Sequence, residues 1–189
     1  MAASNLPKTG LPEREDFLSE RREALEKRLC ESYRAYFDVE MVEDDPSLKA
    51  RCAYHFRESQ YVLVKNAELW AAENHEYLYL HSLDKLDAAA VERVVQAVLE
   101  DGTPRVKPHA EHRFTYLTAM ILCDQAAPDA LEMLKKVKKR REFKLSLHGW
   151  MELRIAAVDL STGEISTNRC ARDLSKSLRP FVDTVLKSI

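Results

Sequence analysis

Two histidines and a glutamate fall within four residues at His109-Ala110-Glu111-His112, the densest group of metal-ligating side chains in the chain. Imidazole nitrogens and a carboxylate can hold a divalent ion if a further ligand arrives from elsewhere, with Asp124 and His148 as the nearest candidates. Spacing restricts where this can work. On a helix the pair lacks the i,i+4 separation and the general base of HExxH. On a strand the two rings would point to opposite faces. Only a loop lets them converge. The enzymatic reading is therefore a metal-assisted hydrolase using His109, His112 and an acid, with no cofactor required beyond that ion. The structural reading is a polar loop whose histidines bond backbone at the mouth of a strand. Cys52 and His55 are also three apart, and on a strand they diverge in the same way.

The strongest charge run is Lys135-Lys136-Val137-Lys138-Lys139-Arg140-Arg141. At a helix C-terminus such a run complements the helix dipole. Lys135, Lys136, Lys138, Lys139, Arg140 and Arg141 could instead bind an anion or a nucleic-acid backbone, but only Phe143 follows closely as a stacking partner. Trp150, beside His148, is a candidate pocket wall as well as a candidate core residue. A metal-dependent nuclease needs α-βββ-α-β order with an acidic residue and Glu-x-Lys on the hairpin. Glu142-Phe143-Lys144 has that spacing but follows the third helix. No GxSxG, GxGxxG or phosphate-cradling glycine loop is present.

The elements that must position these residues centre on Lys107–Asp124, a polar loop running into an apolar strand. Arg113–Cys123 is rich in β-branched and aromatic residues. It sorts into one face of Phe114, Tyr116, Thr118, Met120 and Leu122 and another of Thr115, Leu117, Ala119, Ile121 and Cys123. Both faces turn apolar after Tyr116, which predicts a central strand covered on both sides. Before it, a helix spans about Glu13–Ala35, with Leu18, Leu25 and Leu29 at helical spacing. Phe37–Glu43 reads as a short strand. Lys49–Arg57, Tyr61–Ala72 and Glu76–Leu83 follow as a meander, with a turn at Asn74-His75. Asp87 reads as the N-cap of a helix ended by Gly102 and Pro104.

After Asp124, a helix begins at Pro128. Phe143, Leu145 and Leu147 alternate as a strand, Gly149 marks a bend, and Trp150–Leu160 is a strand turned by Asp159–Gly163 into Glu164–Asn168. Asp173–Ile189 is a closing helix that Pro180 should kink or divide. The expected fold is a single layered α+β domain over residues 13–189. Its mixed sheet is mostly antiparallel, with about four helices in the order α-ββββ-α-β-α-ββ-α and a loose N-terminal arm over residues 1–12.

At 189 residues the chain is long enough for one large core. A formal charge of −2 disfavours nucleic acid as the partner of the chain as a whole. No apolar run approaches the ~20 residues of a membrane span, and the first residues lack the pattern of a secretory signal. Cys30, Cys52, Cys123 and Cys170 form no CxxC pair and read as buried free thiols of a reducing compartment, the cytoplasm.

Four stretches resemble a bacterial family of uncharacterised proteins: Tyr61–Tyr77, Val106–His112, the strand to Asp124, and Gly149–Asn168. The resemblance covers about two thirds of the chain, implies a bacterial intracellular single-domain protein, and assigns no catalytic residue. With the catalytic motifs missing, the leading expectation is a non-enzymatic module binding a protein partner or small ligand. A homodimer is permitted.

Overall fold

A computed structural model describes residues 12–61 and 68–188. In chain order the elements are α1 (Pro12–Tyr33), β1 (Asp38–Met41), β2 (Leu48–Tyr61), β3 (Glu68–Leu86), α2 (Ala88–Gly102), β4 (His112–Ala126), α3 (Pro128–Lys136), β5 (Arg140–Glu142), β6 (Trp150–Asp159), β7 (Glu164–Thr167) and α4 (Arg172–Ser188). The fold is α+β, built on one seven-stranded mixed sheet ordered β1-β2-β3-β4-β6-β5, with β7 pairing the other end of β6. The parallel pairs are β3–β4 and β4–β6; the others are antiparallel.

β4 is the central strand that its composition predicts. Leu117, Ala119, Ile121 and Cys123 pack under Val91, Val94 and Val98 of α2 and Leu134 of α3. On the other face, Met120 and Leu122 pack under Leu25 and Leu29 of α1 and Leu178, Val182 and Val185 of α4. The sheet is thus sandwiched between two helical layers. Each fully buried leucine or isoleucine in them contributes roughly 1.5–3 kcal/mol of transfer free energy. The Asp87 carboxylate accepts the Ala90 N–H at 2.6 Å and caps α2 as expected.

Several local expectations need correction. Asn74 and His75 do not turn the chain. They lie inside β3, paired with Phe56 and His55, because long antiparallel pairing with β2 satisfies backbone groups that a turn would leave to water. Three strands therefore precede α2, not four. Phe143, Leu145 and Leu147 do not alternate on a strand: β5 ends at Glu142, and Lys144, Leu145 and Ser146 all take positive φ, at 46°, 53° and 68°. α4 is not divided at Pro180, which sits inside one continuous helix. Most of the expected arm, residues 1–11, lies outside the described residues.

The nuclease order α-βββ-α-β does occur, over Pro12–Ala126. The β2–β3 hairpin carries no Glu-x-Lys, and Lys144 stands on an exposed turn beyond β5.

Candidate functional site

The parallel strands have two unlike ends. At their carboxyl end, several polar groups pair internally, although neither ring nitrogen of the buried His81 is bonded. Arg22 of α1 reaches Asp84 at 2.6 Å and Asp124 at 3.5 Å. Asp159 accepts from the N–H groups of Ala126, Ser161 and Thr162. At the amino end, two groups of polar and aromatic side chains gather, one on each face of the sheet.

On the α2/α3 face lies a histidine cluster. β2–β3 register sets His55 against His75 and Arg57 against Glu73, and β3–β4 register sets Glu73 against His112. His109 Nε2 meets Glu73 Oε2 at 3.1 Å, while Arg57 bridges Glu73 at 3.0 Å and Glu111 at 3.2 Å. Burial pushes the Glu73 carboxyl up, but His109, Arg57 and His75 outweigh it and hold it below its ordinary range. His75 is lowered, first by burial and then by His55, whose Nδ1 is 2.9 Å from its own.

His112 is 3% exposed and fully engaged. Its Nδ1 lies 2.8 Å from the His148 carbonyl, which can only accept, so Nδ1 carries the proton. Its Nε2 shares a hydrogen bond with the Thr115 hydroxyl at 2.8 Å, as the acceptor when the ring is neutral. Gly149 makes this possible. At φ +70°, a Cβ there would meet the Arg113 carbonyl oxygen at 2.3 Å, so only glycine lets the His148 backbone come this close.

Of the sequence-derived candidates, His109, Glu111 and His112 do meet, and His148 joins them through its backbone. Asp124 does not. It sits twelve residues along β4 from His112, ~40 Å at ~3.3 Å per residue. Among the described residues, no group of three or more His, Cys, Asp or Glu side chains is arranged to hold a metal ion. The basic run is split over three segments. Lys135 and Lys136 end α3, Lys138 and Lys139 lie in the connection, and Arg140 and Arg141 open β5. Lys135, Lys136 and Arg140 are paired with Glu164, Glu132 and Glu142. Burial pushes the thiols of Cys52 and Cys123 up to about 12, so neither supplies a thiolate near neutral pH.

The second group, on the α1/α4 face, contains Trp150 and residues the sequence reading did not assemble. Strand register lines up Tyr54, Glu76, Tyr116, Glu152 and Arg140 in one row and Phe56, Asn74, Phe114, Trp150 and Glu142 in the next. Tyr54 and Phe56 stack at 4° on β2, and Phe114 and Tyr116 lie 4.6 Å apart on β4. Between these aromatic walls is a slot of about 260 Å³ over Asn74 and Glu76 of β3. Glu76 Oε1 accepts from Thr118 at 2.5 Å and pairs with Arg154 at 3.6 Å. Arg154 is 5% exposed, reaches Asp173 at 2.5 Å and lies 4.7 Å over the Tyr116 ring.

At this end of the face, among the described residues, the buried atoms Asn74 Oδ1, Trp150 Nε1 and Arg154 Nε have no hydrogen-bond partner, and of these residues Asn74 lines the slot. The available signal was parity, since Tyr54 with Phe56 and Phe114 with Tyr116 are each two residues apart and must share a face of a strand.

The class this defines is an α+β protein with an open, aromatic and polar sheet end. The chain belongs to the family described as Domain of unknown function (DUF8052), whose model matches residues 21–180. No curated protein and no solved structure gave a match.

Proposed function

We propose that the protein is a non-enzymatic binding module whose ligand enters the slot between Tyr54/Phe56 and Phe114/Tyr116. The observation that carries this reading is the slot itself, walled by two aromatic pairs over Asn74, whose buried Oδ1 has no hydrogen-bond partner. A buried donor or acceptor without a partner costs roughly 1–3 kcal/mol, and such groups converge at binding sites where a ligand completes them. Partly exposed aromatic walls with few polar groups are the ordinary make-up of a small-ligand site. The histidine cluster supports the metal-hydrolase alternative less well, because His112 has both ring nitrogens engaged and Asp124 is remote.

The module would work in the cytoplasm. Its four cysteines are unpaired, three of them buried, which suits a reducing compartment. Among the described residues, no helix is long and apolar enough to cross a membrane.

The test is a screen of flat aromatic fragments by amide chemical-shift mapping. Shifts concentrated on residues 54–56, 74–76, 114–116 and 150–154 are expected. Hits confined to other surfaces, or no hits, would overturn the assignment.

A further inference from the structure

The slot between the aromatic pairs offers ring faces and negative charge, and few places to hydrogen-bond. Side chains on β2 and β4 stand roughly perpendicular to the sheet, on backbones about 9.6 Å apart, each strand being ~4.8 Å from β3. A group held midway is ~5 Å from a ring on either side, inside the ~6 Å over which a ring face attracts a cation. The volume, about 260 Å³, is that of roughly nine waters at ~30 Å³ each. A compact head group and part of its chain fit that space.

Rings on this face already carry cations. Arg154 and Arg140 each lie 4.7 Å over a ring, Tyr116 and Trp150 respectively. Among the described residues, no cation lies over Tyr54, Phe56 or Phe114. The two arginines do not exhaust the negative charge. Arg154 is shared by Glu76 at 3.6 Å and Asp173 at 2.5 Å, and Arg140 by Glu142 at 3.3 Å and Glu152 at 3.7 Å, so two cations face four carboxylates. Of the side chains in the slot Glu76 carries the charge, since His75 turns to the histidine cluster on the other face.

The floor has no free bonding edge. Glu76 is held toward Thr118 and Arg154, and Asn74 Oδ1 is buried. A primary ammonium entering here would lose the water around its N–H groups and find no acceptors in exchange. A trimethylammonium group has no N–H to satisfy, and its charge is spread over methyl groups that pack against rings. We propose, resting on the binding-module reading, that the slot holds a quaternary ammonium group. The aromatic pairs would flank it from β2 and β4, and the surplus carboxylate charge would favour it over an uncharged group of the same shape.

Amide chemical-shift titration of the full chain compares three probes. Choline carries the group. Dimethylbutanol is its uncharged analogue, with carbon in place of nitrogen. Ethanolamine keeps the charge and adds N–H donors. Choline should shift residues 54–56, 74–76 and 114–116 and bind at least about tenfold more tightly than either of the others. Added salt should weaken choline and leave dimethylbutanol unchanged. Phe56→Leu, at a position 43% exposed, keeps an apolar side chain and removes the ring face. It should lower choline affinity about threefold or more and change dimethylbutanol by less than about twofold. A capped trimethyllysine separates the sources of the group. Binding tighter than choline would assign it to a modified protein side chain, and weaker binding to a small molecule, either of which supports the proposal.

Equal binding of choline and dimethylbutanol in the slot would overturn the cation assignment and leave the slot standing. Tighter binding of ethanolamine than of choline would reveal a bonding floor and overturn it as well. Failure of choline to bind at millimolar concentration would end the proposal, and an empty fragment screen beside it would remove the binding-module reading too.

Discussion

On one face of the sheet's amino end, His112 has a partner for each ring nitrogen and Glu73 is bridged by Arg57 and His109. On the opposite face of the same strands, Asn74, Trp150 and Arg154 each leave a buried polar atom without one. Residue type alone would have ranked them the other way, since histidine and glutamate are the common catalytic groups. Completion is the better guide. A closed network holds structure together, whereas an open one keeps bonding capacity for something else. Substitutions on the histidine face should therefore cost stability, and those on the aromatic face should cost binding.

The largest effect should come from His112→Ala. It removes two hydrogen bonds at ~1 kcal/mol each, strands the His148 carbonyl, and leaves a cavity where a buried ring stood. We expect a loss of about 4 kcal/mol, read from urea unfolding. A loss below about 1 kcal/mol would mean that the cluster is not structural, and the contrast between the faces would collapse.

Acid should separate the faces next. His81 lies on the α2/α3 side, 3% exposed, with neither ring nitrogen bonded. Burial drops its pKa to about 4, against an opposing pull from Asp45. An unfolded histidine takes up its proton near 6.5. The folded state binds fewer protons between these values, so stability is full above pH 6.5 and falls toward pH 4, by about 3 kcal/mol. The lowered His75 acts in the same direction. His81→Leu should flatten most of this slope in urea titrations at stepped pH. An unchanged slope would place the acid sensitivity elsewhere.

The opposite sign is expected from Asn74→Leu. Removing an unpartnered buried amide from a strand should raise stability by about 1 kcal/mol while abolishing ligand binding. A residue that protects function at the expense of stability is what an open site requires. If Asn74→Leu destabilises instead, the amide has a structural task and the comparison weakens.

The sequence made the central strand legible because composition and two-residue alternation act locally. Phe114 through Cys123 could be sorted to the correct faces before any partner was known. The Asp87 cap and the Asp159–Gly163 hairpin were legible for the same reason. The slot was not, because its walls come from β2 and β4 and its floor from β3. Their meeting depends on a register that sets Phe56 opposite Asn74 and Asn74 beside Phe114. Asn74-His75 carries a turn-like composition, and only the pairing of β2 with β3 overrides it. The histidines were found by density, yet density could not show that His112 is occupied by a carbonyl 36 residues away.

The turn that delivers that carbonyl offers the smallest test. Lys144, Leu145 and Ser146 hold three consecutive left-handed conformations, each costing a residue with a Cβ roughly 1–2 kcal/mol. Leu145 is 94% exposed, so its side chain adds almost no burial to offset the strain. Leu145→Gly should therefore stabilise the protein by about 1 kcal/mol, less what glycine gains in the unfolded chain. The gain should be smaller in the His112→Ala background, where the turn no longer has to hold the His148 carbonyl in place and can relax without a glycine. Equal gains in the two backgrounds would show that the turn is strained independently of the histidine cluster, and that the cluster does not hold it in that shape.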